Sequence, residues 1–426
     1  MIILRGVAGI VLFLAVAWVL SSNRRRFPLR TVLGGMALQW LLALVVLRTD
    51  LGRNVFDAIA TLVTVLLDCS TEGARFVLGN LVDFRSDAWG MVFAAKVLPS
   101  IIVFSSLSAL GYHLGVLQFV VNRVAWVMTR FMGVSGAESL SAAGNVFLGQ
   151  TEAPLLVRPF IAKMTTSELM ALMAGGFATI SGGVLASYVA ILGGDDPARQ
   201  VEIARHFLTA CLMSAPASFV IAKIMVPETN VPETDGQVRA DVTRDTHNVV
   251  HAAAIGASDG LKLALNVGAM LIAFIALVAM LDHLLIWVGQ LSPIAPLLNW
   301  AGLERLDLSG ILGLVFYPVA YVIGADPGEC RLFGGLLGKA MATNEFVAYL
   351  SLGDLVRESA ISERTLRLAT YSLCGFANFS SIAIQIAGIG GIAPERRADL
   401  ARLGLRAMLG GAMACWMTGC IAGILT

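Results

Sequence analysis

Residues 263–280, LALNVGAMLIAFIALVAM, contain no charged side chain. A helix of about 20 predominantly apolar residues crosses the ~30 Å hydrocarbon layer of a bilayer, where every backbone polar group must be paired internally. Eight spans meet this description, near residues 2–20, 31–47, 89–110, 169–192, 206–225, 261–288, 366–392 and 400–425. Composition agrees, with 57% of residues hydrophobic and 14% charged, against about 25% charged in ordinary globular domains. The expected fold is an all-α integral membrane protein.

Charge orients the chain. Arg24, Arg25, Arg26 and Arg30 follow the first apolar segment. That placement suits a retained span with the N-terminus outside better than a cleaved signal peptide. The cytoplasmic segments then hold Arg24–Arg26, Arg123, Arg130, Lys163, Arg396 and Arg397, and the acidic loop 193–202, GGDDPARQVE, falls outside. A net charge of +1 without a long basic tract argues against a nucleic-acid partner. The six cysteines form no CxxC pair, so neither a metal centre nor a disulfide framework is expected. His247 and His251, four apart in a polar linker without a third ligand, read as a solvated pair.

Several segments are too mixed to span. Residues 54–80 and 112–133 alternate apolar and charged positions and read as amphipathic helices at the membrane surface, with 308–323 as a third. Residues 227–251 form one long polar linker.

Two further segments are too short to span. From Glu138 to Gly149 a helix would cover only ~17 Å, and the stretch from Pro154 to Lys163 is shorter still. Together they read as a re-entrant hairpin with the tip GQTEAP, its helices stopped at Gly149 and Pro154. Residues 333–354 have the same character, with the tip Thr343-Asn344-Glu345. After the first hairpin comes GFATIS (176–181) and after the second GFANFS (375–380), identical at four of six positions. Each lies mid-span among glycines and small polar residues that weaken a helix, and a further span follows each.

With one long span preceding each unit, every copy makes three crossings, and an odd number inverts one copy relative to the other. Inverted repeats whose broken helices meet at the midplane are an architecture of secondary transporters. An unpaired carboxylate at that depth costs about 2.5–3.5 kcal/mol on insertion scales, so Glu152 and Glu345 are expected to face a polar cavity. Glu138 and Glu168 are expected at the interface, Glu168 as part of a helix-start signal after Thr165.

GQTEAPLLVRPF, NEFVAY and CGFANFSS, in this order, resemble the concentrative nucleoside transporter family, over the chain from about residue 30 to its end. The resemblance implies a homotrimer of cation-coupled symporters in the bacterial inner membrane, importing nucleosides such as uridine, cytidine or adenosine. It maps nucleobase recognition onto Gln150, Thr151 and Glu152 with Val184 as an apolar wall, and ribose recognition onto Glu345, Asn378 and Ser381 with Phe376 nearby. The family's sodium site falls on Asn145, Thr179 and the carbonyls of Leu148 and Ile180. The family signature leaves three residues between a lysine and NEFVA, whereas here four separate Lys339 from Asn344, so Lys339 is given no role.

The residue chemistry is consistent with this: ribose hydroxyls donate to a carboxylate and accept from an amide. The implied organisation is N-terminal spans (1–50), interfacial helices and a scaffold span (51–135), a first repeat (136–227), a linker, scaffold span and interfacial helix (228–325), and a second repeat (326–426). Alternatives are a proton-coupled nucleoside carrier, a carrier of another small polar solute, and an intramembrane enzyme. Against the enzyme stands the missing HExxH motif.

Overall fold

The computed structural model describes residues 2–82, 92–194, 196–234, 246–291, 298, 303 and 305–426. Parts of the expected span 89–110, of the loop 193–202 and of the linker 227–251 lie outside them. Among the described residues there is no strand, and seven helices are long and apolar enough to cross a membrane. An eighth span is reached if Leu98–His113 and Val116–Met132 count as one. These two meet at 78°, at Gly115 with φ +80°, a left-handed conformation that glycine adopts without steric cost. The turn separates the apolar helix from the amphipathic segment expected at 112–133.

One boundary differs from expectation. Asp50–Leu78 is a single helix of 29 residues and is among the seven by length and hydropathy, although its charges suggest a surface position. Its Asp57 pairs with Arg205 at 2.7 Å, which ties it to the helix Pro197–Met225.

Two groups of helices are distinguished by burial. Val249–Gly289 lies mostly exposed and packs along Leu98–His113 through Gly256 and Gly260. A Cβ on Gly256 would stand 2.7 Å from the Ser105 carbonyl oxygen, so a larger residue would push the pair apart. In Thr166–Gly193 and Pro197–Met225, by contrast, 89% of the apolar window is buried inside the protein. Helices that bury every face form the interior of the molecule.

The first hairpin opens at Ser135, whose hydroxyl and the Glu138 carboxylate form a reciprocal N-terminal cap on Gly136–Asn145. That helix ends at Asn145, four residues before Gly149, so Gly149 is not its terminator. Pro154 does not end the returning arm either. It sits in the first turn of Ala153–Val157, a 3-10 helix, where its missing N–H costs nothing. The second hairpin is more regular: Cys330–Ala342 and Glu345–Arg357 have 13 residues each, about 20 Å. Asn344 caps the second arm, its Oδ1 accepting from the Val347 N–H at 2.9 Å.

Both GFAxxS motifs break their helices. Thr166–Phe177 stops and resumes as Gly182–Gly193; Glu363–Ser372 stops and resumes as Phe379–Ile392. The two breaks pack against each other. A Cβ on Gly375 would stand 2.5 Å from the Phe177 carbonyl oxygen, so glycine permits the approach. The Cys415 thiol lies 3.4 Å from both the Ala178 and the Cys374 carbonyls and donates to oxygens that the breaks set free.

Glu138 departs from its expected interfacial position. It is buried and forms an ion pair with Lys223 at 2.7 Å. Lys223 also donates to the Ser167 hydroxyl at 3.0 Å, while Ser135 donates to Glu168 at 2.6 Å. The start of the hairpin, the start of the first broken helix and the end of Pro197–Met225 are thus held together. Glu168 is likewise buried and not interfacial, though it caps its helix with Thr165 as the sequence signal predicts.

Basic residues assigned to the cytoplasm gather at this same end. Arg26 donates to the Glu228 carbonyl at 3.2 Å, Arg30 to that of Arg130 at 3.1 Å, and Arg396 to those of Ala162 and Met164. Lys163 pairs with Glu233 at 2.7 Å.

Candidate functional site

The hairpin tips and the second halves of the broken helices converge on a buried polar chain. Glu345 is the first residue of its helix, where the exposed N–H groups favour a negative charge. Its carboxylate is held on both oxygens. Oε1 accepts from the Tyr188 hydroxyl at 3.0 Å and Oε2 from the Asn378 amide at 2.9 Å. Asn378 caps Phe379–Ile392, its Oδ1 accepting from the Ser381 N–H at 2.8 Å and the Ser380 hydroxyl at 2.7 Å. The Ser381 hydroxyl then accepts from Gln150 Nε2 at 3.2 Å. Gln150 Oε1 accepts in turn from Gln385 Nε2 at 3.0 Å, and the same nitrogen reaches the Met173 carbonyl at 3.1 Å.

So Gln150, Glu345, Asn378 and Ser381 are brought together, all of them buried. An ionised carboxylate offers about four acceptor sites. With the Tyr188 and Asn378 side chains on different oxygens, Glu345 keeps acceptor capacity for a ligand. Thr151 packs on the same helix, its methyl 3.0 Å from where a Cβ of Gly388 would be. Glu152 is exposed at the tip and folds back over Gly149, whose missing side chain leaves room for the carboxylate. Among the described residues it forms no ion pair. Val184 is buried two residues into the resumed first helix, and Phe376 is half-buried in the second break.

Asn145, Leu148, Thr179 and Ile180 lie where the first hairpin meets the first break. The Gly182 N–H donates to the Phe147 carbonyl at 3.3 Å, joining the two segments. The Asn145 amide is 1% exposed, yet neither its oxygen nor its nitrogen has a hydrogen-bond partner. Leaving a buried amide unpaired costs about 1–3 kcal/mol, so the site is incomplete as it stands. The amide faces Gly175, whose Cβ position would be 3.4 Å from its nitrogen, and Thr179 donates to the Gly175 carbonyl at 2.9 Å. Amide oxygens, hydroxyls and backbone carbonyls are neutral oxygen ligands of the kind that suit a hard cation.

Two members of the polar chain escape sequence reasoning. Gln385 carries a signal, a lone amide in an apolar helix. Tyr188 carries none, because an aromatic residue in an apolar span ordinarily reads as packing. Lys339 donates to Ser351 at 3.2 Å and lies outside the chain.

Paired hairpins, two broken helices and a polar site between their halves define a secondary transporter of inverted-repeat type. Sequence profiles refine the class. Residues 8–81 match the Na+ dependent nucleoside transporter N-terminus, 94–195 a nucleoside recognition (Gate) domain, and 206–423 the Na+ dependent nucleoside transporter C-terminus. The chain belongs to the Na+ dependent, or concentrative, nucleoside transporter family.

An uncharacterized transporter of Haemophilus influenzae is 42% identical, covering 100% of this chain and 98% of the relative. YutK of Bacillus subtilis, also called an uncharacterized transporter, is 39% identical over 99% of both chains. Sodium/nucleoside cotransporter 1 of Mus musculus is 37% identical over 98% of this chain, which spans 63% of that longer protein. Among solved structures, CNTnw in an inward-facing substrate-bound state is 37% identical, with TM-score 0.90, and covers 100% of this chain and 98% of its own. An outward-facing CNTnw variant gives TM-score 0.89 with the same coverage. The chain is therefore a multi-pass membrane transporter, not an enzyme, and sodium is the coupling ion of its family.

Proposed function

We propose that this protein imports nucleosides such as uridine, cytidine and adenosine across the bacterial inner membrane, driven by sodium and by alternating access, as a homotrimer. The observation that carries the reading is the buried Glu345 carboxylate, held by Tyr188 and Asn378 with acceptor capacity to spare. Glu345, Asn378 and Ser381 would take the ribose hydroxyls, with Phe376 alongside. Gln150, Thr151 and Glu152 would face the base edge, with Val184 as the apolar wall. A site made of such buried partners rejects analogues that leave its polar atoms unpaired.

Asn145, Thr179 and the carbonyls of Leu148 and Ile180 would hold sodium. The unpaired Asn145 amide supports this, because a cation would satisfy its oxygen. Bound there, the ion supplies charge that ties the hairpin to the first break and steadies the tip bearing Gln150. Residues 136–227 and 326–426 would then form the mobile repeats, and 1–135 with 228–325 the scaffold and its connections. Solved CNTnw forms in inward-facing, outward-facing and intermediate states support alternating access in this fold.

The test is uptake of radiolabelled uridine into proteoliposomes, with sodium and proton gradients imposed separately. Accumulation under the sodium gradient is expected. Accumulation under a pH gradient alone would replace sodium coupling with proton coupling.

A further inference from the structure

Gln150 and Glu345 are each held from the opposite repeat. Glu345 belongs to the second hairpin, and its Oε1 is held by Tyr188 in the resumed half of the first broken helix. Gln150 belongs to the first hairpin, and its Oε1 is held by Gln385 in the resumed half of the second. Tyr188 and Gln385 are each the seventh residue of their half-helix.

Neither is needed there for packing alone. The Tyr188 ring is already fixed against Tyr349 (4.2 Å between centroids), Phe346 (4.9 Å) and Phe207 (5.8 Å), so its position does not depend on the hydroxyl. Gln385 is fully buried and its oxygen has no partner, a poor arrangement for a purely structural amide. Its nitrogen instead orients Gln150 relative to the Met173 carbonyl. Room for this comes from Gly176, the first residue of GFATIS, where a Cβ would stand 2.8 Å from Gln385 Nε2 and 3.1 Å from Gln150 Cβ.

We propose that Tyr188 and Gln385 are paired positioning residues for substrate recognition, Tyr188 setting the ribose-binding carboxylate and Gln385 the base-facing amide, each across the repeat boundary. The inference rests on the nucleoside reading of the site. A carboxylate and an amide both rotate freely about their last bond; fixing each one presents its remaining lone pairs in a single direction and reduces what binding must order. Because each brace joins opposite repeats, a displacement of Gly182–Gly193 loosens the carboxylate arm, whereas a displacement of Phe379–Ile392, which also carries Asn378 and Ser381, loosens both arms.

The test measures equilibrium binding to purified full-length protein by calorimetry, using uridine, 2′,3′-dideoxyuridine and 4-deoxyuridine. Tyr188→Phe keeps the ring and removes the hydroxyl. It is expected to weaken uridine about tenfold while leaving 2′,3′-dideoxyuridine within about twofold, the loss of one hydrogen bond to a charged group. Gln385→Met is expected to weaken uridine more than 4-deoxyuridine and to leave the ribose preference unchanged.

Equal losses for all three ligands, or none, would overturn the inference, since a merely structural role moves every affinity together. Gly176→Ala perturbs the base arm through different atoms, so the base arm is decided even if Gln385→Met fails to fold. Wild-type protein separates the possible failures. If it does not bind uridine, the nucleoside reading fails; if it binds uridine and 2′,3′-dideoxyuridine alike, the ribose assignment fails; if it prefers uridine and Tyr188→Phe keeps that preference, only the brace fails.

Discussion

Gln150 of the first hairpin donates its side-chain amide to the Ser381 hydroxyl of the second broken helix at 3.2 Å, across 231 residues of sequence. The contact makes the site a property of both repeats at once, because neither hairpin alone assembles the polar chain that runs from Tyr188 to Met173. Substitutions along that chain should therefore affect ligand binding more than folding.

Glu345→Gln tests its most buried charge. The substitution replaces an acceptor oxygen with an amide group that cannot accept from both Tyr188 and Asn378 and still serve a ligand. Charge-assisted bonds contribute about 1.5–3 kcal/mol each, so losing two should weaken uridine affinity about a hundredfold or more. Titration of the purified variant measures this, and wild-type affinity would remove Glu345 from the ribose arm.

The pair Glu138–Lys223 makes the opposite prediction, stability without specificity. Both side chains are buried, at 1% and 5% exposure. Removing one partner strands a charge, so Lys223→Met should cost about 3–5 kcal/mol, whereas the double variant with Glu138→Gln should recover much of that. Thermal unfolding in detergent reads the difference. Equal melting temperatures for the single and double variants would show that the charges are not coupled.

This pair also marks where sequence reading stops. Glu138 looks interfacial because a charge near the end of a short hairpin arm is most simply satisfied by water. Lys223 lies 85 positions later, near the end of an apolar span, and no local pattern links the two. The features legible in advance are those with local physical cause: hairpin arms too short to cross, glycines that interrupt a span, a Thr165–Glu168 cap. Gly149 and Pro154 look like helix stops because of their backbone chemistry. Yet the first arm already ends at Asn145, and Phe147 just beyond it accepts from the Gly182 N–H of the first break. Tyr188 shows the same limit, since its hydroxyl becomes functional only through Glu345, 157 residues away.

Thr151 offers a test of movement. It lies at the first tip, half-buried against the second broken helix at Gly388. If the repeats carry the site across the membrane, a cysteine at Thr151 in an otherwise cysteine-free, transport-competent variant should react with an impermeant thiol reagent from one side or the other, according to substrate and sodium. A labelling rate that stays confined to one side under all conditions would rule out that movement.

The ion site yields the last prediction. The Asn145 amide is buried and unpaired at the end of the first hairpin helix, beside the Thr179 hydroxyl and the backbone released by the first break. Neutral oxygens bind a hard cation without a titratable group. Because Leu148 lies two residues before Gln150 in the chain, an ion held there would restrain the tip proposed to face the nucleobase. Binding of sodium and nucleoside should then be linked, each tightening the other by the same factor, ordinarily about 5–150-fold. In Asn145→Ala that factor should fall towards one, with uridine affinity close to the sodium-free wild-type value rather than lost altogether. Calorimetric titration of uridine with and without sodium, at fixed ionic strength in both proteins, measures the factor directly. Sodium-independent affinity in the wild type would remove this site from the coupling mechanism, whereas an undiminished sodium effect in Asn145→Ala would move the ion to other ligands.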